Sequence, residues 1–134
     1  MIERTYVMLK PDALKRSLVG AIIDRIERKG YQIDDIKKMM LSEAQLKEHY
    51  AHIAHLPFFP EIVDFMTSGP VIAMIVSGEN AVAGVRKIMG ATKFEDALAG
   101  TIRGDYASNT QENLIHGSDS VETAQIEIAR FFGK

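Results

Sequence analysis

Val71-Ile72-Ala73-Met74-Ile75-Val76 is the longest unbroken apolar run in the chain, and it follows the turn-forming triplet Ser68-Gly69-Pro70. Six residues fall far short of the roughly 20 that cross a bilayer, but they match one strand buried on both faces. The same reading applies to Arg4-Thr5-Tyr6-Val7-Met8-Leu9-Lys10-Pro11-Asp12, where Tyr6 to Leu9 are apolar and Pro11 stops the ladder, leaving Lys10 at the strand end. The rest of the chain is read for what packs against these two strands.

Leu18, Val19, Ile22, Ile23 and Ile26 fall on one arc at helical spacing, with Gly30 as a stop. Gln32 to Leu41 mixes apolar and charged residues and reads as a second, partly solvated strand. Ser42 with Gln45 has the form of a capping box, predicting a helix from about Glu43 into the His49 to His55 region. Pro57 and Pro60 mark a bend before a short helix with Ile62, Val63, Phe65 and Met66. A helix near Asn80 to Met89 follows the Val71 to Val76 strand. From Gly90 to Asn113 no period of either kind persists, and long irregular segments inside compact domains are usually functional. Leu114 and Ile115 give a brief strand signal, and Asp119 with Glu122 predicts the start of a last helix that ends at Phe131 and Phe132. Four strands with interspersed helices indicate an α/β fold, a ferredoxin-like two-layer sandwich with a four-stranded antiparallel sheet and helices on its face. No linker or repeat divides residues 1–134, so one domain is expected.

Composition narrows the chemistry. Of 134 residues 46% are apolar and 25% charged, the net charge is -2, and cysteine is absent. This excludes a disulfide framework, a thiolate metal site and a cysteine nucleophile, and it argues against a general polyanion binder. The charged start, with Glu3 and Arg4, lacks an apolar stretch of signal-peptide length, so a cytoplasmic location is expected. There is no GxxxxGK[ST] loop, no GxGxxG after a strand, and no HRD or DFG triplet. Any phosphate chemistry uses another apparatus with locally focused charge.

His49, His52 and His55 recur every third residue, which invites a metal reading; on a helix their rings fan apart, so a partly exposed polar face is the competing one. In Asn113-Leu114-Ile115-His116-Gly117-Ser118-Asp119, His116 ends a short apolar strand before a helix N-terminus, where phosphate is accommodated, though a turn histidine has the same pattern. On the last helix Val121, Ala124, Ile128, Phe131 and Phe132 face inward, Arg130 points away and Glu127 lies at the edge of the arc. Glu127 is either a solvated helix residue or a carboxylate that turns back, fixes the tautomer of His116 and leaves its other nitrogen free as a nucleophile.

NLIHGSD followed by SVE, TIRGDYA at 101–107, the opening TYVMLKPDAL, and HY followed by PFF together resemble the nucleoside diphosphate kinase family from about Arg4 to Phe132. The resemblance implies transfer of the terminal phosphate of a nucleoside triphosphate, usually ATP, to a nucleoside diphosphate through a phosphohistidine, with Mg2+ carried by the nucleotide phosphates rather than by a protein metal site. It implies that His116 is the nucleophile, with Glu127 and Ser118 orienting its ring and Tyr50 supporting the pocket. Lys10, Arg86, Thr92 and Arg103 would hold phosphates, Asn113 would contact the ribose, and Phe58 would stack on the base beside Ile62. It also implies a homo-oligomer, a tetramer or hexamer built from dimers, with neither membrane nor specific nucleic acid as partner. Where many members carry Asn-Pro after the threonine matching Thr92, this chain has Lys93 and Phe94; the proline expected before Gly100 is Ala99, and Thr110 replaces an apolar residue that often lines the base. The reading from a different class is a non-catalytic nucleotide- or RNA-binding ferredoxin-like module, for which no aromatic RNA-binding strand motif is present.

Overall fold

The computed structural model describes residues 1–134. Strands β1 (Ile2–Leu9), β2 (Gln32–Met39), β3 (Val71–Glu79) and β4 (Ile115–Gly117) form one antiparallel sheet in the order β2-β3-β1-β4. The two apolar runs are thus the two central strands, paired from Ile2 opposite Glu79 to Leu9 opposite Ile72, and both extend beyond their apolar segments. The partly solvated strand β2 lies at the edge, with a register shift between Ile33 and Asp35.

Because side chains alternate along a strand, each central strand feeds two cores. Val7, Leu9, Met74 and Val76 pack with helices α1 (Pro11–Lys15), α2 (Val19–Arg28) and α5 (Ala81–Met89) on one face. Tyr6, Met8, Ala73 and Ile75 pack on the other with α3 (Glu43–His49), α4 (Phe59–Met66) and the last helix, α7 (Val121–Phe132). The expected sheet and helices are present, and the helices cover both faces. No open sheet face is left of the kind on which single-stranded RNA stacks. No helix is long and apolar enough to cross a membrane.

Local details differ from the sequence expectations. The capping box at Ser42 forms, with the Gln45 N–H donating to Ser42 Oγ and the Ser42 N–H to Gln45 Oε1. Its helix nevertheless ends at His49, and tight turns from Tyr50 to Phe59 replace the predicted continuation, closed by the Ile53, Leu56 and Phe59 N–H groups donating three residues back. His52 and His55 are therefore exposed turn residues, off the helix that carries His49. The segment after Gly90 contains a 3-10 turn at Phe94–Asp96 and a helix, α6 (Ile102–Tyr106), capped by Thr101 Oγ1, which accepts from the Gly104 N–H. Five residues are too few to register as a period. Ser120, rather than Asp119, caps α7 and accepts from the Thr123 N–H.

Candidate active site

The site begins where β4 meets β1. His116 pairs with Met8, and partners directly opposite in an antiparallel ladder share a face, so its ring lies on the Tyr6 and Met8 side beneath α7. There the glutamate at the edge of the helical arc is buried, 5% exposed. Its carboxylate oxygens lie 3.0 and 3.1 Å from His116 Nε2, and Ser118 Oγ donates to Oε1 at 2.6 Å. Burial alone would raise the Glu127 carboxyl, but the hydrogen bonds from His116 and Ser118 outweigh it and hold it below the usual range. An ionised carboxylate only accepts, so the proton of the contact sits on Nε2 and Nδ1 keeps a free lone pair. The solvated alternative for Glu127 is overturned: the helix turns it inward and two donors hold it.

His49 is the residue that sequence reasoning missed. Its side chain is 2% exposed, its ring packs edge-on against His116 with centroids 4.9 Å apart, and Tyr50 packs against it in turn at 4.8 Å. Burial, aided by neighbouring His116, pushes its pKa down to about 3, so the ring is neutral and its 3.6 Å approach to Glu127 is not an ion pair. Arg130, expected to point away, instead donates to His49 Nδ1 at 3.0 Å and to Glu48 at 3.0 Å, because the end of α3 and the end of α7 lie side by side. One signal was available: Leu46 and His49 stand three apart on α3 and are its buried residues. The three-histidine metal reading fails, since His49 groups with His116 and Glu127 instead of His52 and His55, and Arg130 occupies its free nitrogen.

Two cavities share Tyr50. One, about 460 Å3, is lined by His116, Glu127, Arg86 and Asp119. The other, about 390 Å3, is lined by Lys10, Phe58, Ile62, Thr92 and Asn113, with Thr110 at its wall. A larger cleft of about 620 Å3, among Arg25, Arg28, Lys29 and Lys87, contains none of the expected site residues, so chemistry rather than size selects the site. The paired phenylalanines separate: Phe59 is core, while Phe58 is 46% exposed at the second cavity. Lys10 Nζ donates to Asn113 Oδ1 at 2.8 Å, and burial together with Arg103 pushes its pKa down to about 8. Arg86 donates to the Gly117 carbonyl at 3.1 Å. Arg103 is buried and braces the histidine segment, donating to the carbonyls of Asn113 at 3.3 Å, Ile115 at 2.6 Å and Gly90 at 3.1 Å. Burial and the Arg86 charge bring its pKa down to about 10, still well above neutral pH. Arg86 thus shares a cavity with the buried carboxylate and the imidazole with an open nitrogen, Lys10 lines the adjoining cavity, and Arg103 braces the backbone that presents the histidine, an arrangement suited to receiving phosphate.

A family model described as nucleoside diphosphate kinase matches residues 3–134. The nucleoside diphosphate kinase of Thermus thermophilus is 55% identical over 131 residues, 98% of this chain and 96% of that one. Among solved structures, the apo nucleoside diphosphate kinase of Encephalitozoon cuniculi superposes with a TM-score of 0.95 at 46% identity, covering 98% of this chain and 90% of that one. The halophilic enzyme of Halobacterium salinarum, solved in complex with CDP, superposes with a TM-score of 0.95 at 47% identity, covering 100% of this chain and 90% of that one. Nucleotide kinases generally require a divalent cation. On these matches and this site the chain belongs to the nucleoside diphosphate kinase family, enzymes that move phosphate between nucleotides.

Proposed function

We propose that His116 Nδ1 accepts the terminal phosphate of a nucleoside triphosphate, usually ATP, and passes it to a nucleoside diphosphate in a ping-pong cycle run by one domain over residues 1–134. The observation that carries this is the contact of His116 Nε2 with buried Glu127, which leaves Nδ1 unprotonated in the neutral ring. In the first half, the Nδ1 lone pair attacks the γ-phosphorus, the bond from that phosphorus to the bridging oxygen breaks, and the nucleoside diphosphate leaves with the electron pair. Positive charge then spreads over the ring and faces the Glu127 carboxylate, which Ser118 holds in place. The second half is the reverse with a different diphosphate.

Lys10, Arg86 and Thr92, which line the two cavities, are assigned to the phosphates, Asn113 to the ribose, Phe58 and Ile62 to the base, and Tyr50 to the wall shared by the cavities; Arg103, which lines neither cavity but holds the Ile115 carbonyl beside His116, is assigned to the phosphates with them. Stacking on Phe58 uses a π face that every base has, which accounts for tolerance of base identity. The cation is assigned as Mg2+. It is carried by the nucleotide phosphates, with no protein metal site of its own. Bound there, Mg2+ would neutralise phosphate charge. Exposed Ile36 on edge strand β2, with Met40 and Leu98, supports assembly into a homo-oligomer of dimers, a tetramer or hexamer, for which light scattering gives the count. A cytoplasmic location and the absence of a specific nucleic-acid partner complete the proposal.

The test is incubation with γ-labelled ATP and Mg2+. An acid-labile, alkali-stable phosphoprotein that is lost in His116→Ala is expected, and label retained in that variant refutes the assignment of the nucleophile.

A further inference from the structure

Leu114, two residues before His116, has a backbone φ of +77° although it is a bulky residue with its side chain fully buried. Such a conformation is strained and persists only where its surroundings impose it. Here the Ile115 N–H donates to the Asn113 carbonyl at 2.9 Å, closing a three-residue turn centred on Leu114. Both polar groups of Leu114 are held by the segment that follows β1: the Lys10 N–H donates to its carbonyl at 2.9 Å, and its own N–H donates to Asp12 Oδ2 at 3.1 Å. The first of these is a main-chain contact available to any residue at position 10. The second depends on one side chain.

Asp12 is a costly residue in this position. It is 3% exposed, and its Oδ1 has no hydrogen-bond partner. A buried carboxylate with an unpartnered oxygen destabilises the fold, and beyond its own backbone N–H its hydrogen-bond partner is the Leu114 N–H. Lys10 and Asn113, joined by the hydrogen bond between Nζ and Oδ1, sit on one side of the turn and His116 on the other. The backbone angle at Leu114 therefore sets the spacing between the groups assigned to the nucleotide and the assigned nucleophile.

We infer that Asp12 is a positioning residue for phosphoryl transfer: its carboxylate locks Leu114 in the left-handed turn and so aims His116 relative to Lys10 and Asn113. This inference rests on the reading of His116 as the nucleophile.

The experiment compares the full chain with Asp12→Ala and Asp12→Asn, reading the single-turnover rate of His116 phosphorylation from ATP and Mg2+, the affinity for ADP, and the melting temperature. Asp12→Ala removes the acceptor and is expected to slow phosphorylation by about 10- to 100-fold, the scale of a misplacement of about 1 Å, with a smaller change in ADP affinity. Asp12→Asn keeps an oxygen for the Leu114 N–H and is expected to recover most of that rate. If Asp12→Ala does not fold, Asp12→Ser replaces it, since its hydroxyl is one atom too short to reach Leu114, and the same slowing is expected. A folded Ala or Ser variant that phosphorylates within about threefold of the parent overturns the inference, as does an Asn variant no faster than Ala. Absence of label in the parent protein is a different failure, that of the proposed nucleophile.

Discussion

Lowering the pH from about 7 to 5 is expected to remove about 2 kcal/mol of folding stability through His49 alone. The folded chain holds this imidazole at about 3, against 6.5 for an ordinary histidine, because burial disfavours its charged form. Its side chain is 2% exposed, so solvent screening discounts the effect little. Between those two values the unfolded chain binds a proton that the folded chain refuses. The contribution is therefore present above about 6.5 and is lost as the pH falls below it, at about 1.4 kcal/mol per unit, or about 2 kcal/mol by pH 5. The perturbation is His49→Gln, which keeps an oxygen to accept from Arg130 and does not titrate. The assay is urea unfolding of both proteins at the two pH values and at equal protein concentration, because any subunit contacts are concentration-dependent. The variant should lose about 2 kcal/mol less than the parent between the two conditions. Equal losses would refute the claim that a buried neutral imidazole is part of this site.

Glu127→Gln, which removes the charge facing the developing imidazolium, should slow His116 phosphorylation by about 10- to 100-fold, the equivalent of a charge-assisted hydrogen bond of about 1.5–3 kcal/mol, with ADP affinity nearly unchanged in a binding titration. Because Lys10 loses its proton near pH 8 in the free protein, ADP affinity should weaken as the pH rises through that value, and calorimetry on Lys10→Met should find that inflection gone. Ser42→Ala deletes the capping box of α3 and should cost about 1 kcal/mol in denaturant unfolding, leaving the phosphorylation rate of the folded protein unchanged.

The sheet was legible because its two central strands are apolar on both faces, a pattern that local sequence carries in full. His116 was legible because its neighbours on both sides form a specific run. Glu127 was visible only as a residue at the edge of a helical arc; what buries it is the placement of α7 over β1, where Phe131 stacks on Tyr6 at 4.8 Å, and periodicity does not encode which strand a helix covers. His49 and Arg130 were misread for the same reason: their partner is each other, 81 residues apart. Asp12 was read only as the residue after a strand-ending proline, because its contact with Leu114 spans 102 residues and depends on a backbone angle that the sequence pattern does not reveal. Arg103 carries a further lesson, since an arginine expected to meet phosphate also spends donors on three carbonyls of the backbone that presents the histidine.

The pairing of Met8 with His116, together with the contact from Ser118 to the Tyr6 backbone 112 residues earlier, has a consequence for how the protein is made. On a ribosome the central antiparallel partners β1 and β3 are available long before β4 and α7 emerge. A growing chain can thus bury most of its first core before β4 and α7, which carry the proposed nucleophile and the glutamate beside it, have emerged. On the assignment of His116 as nucleophile, phosphate transfer then waits for that later segment to dock against β1, so the appearance of activity during synthesis would time that docking step.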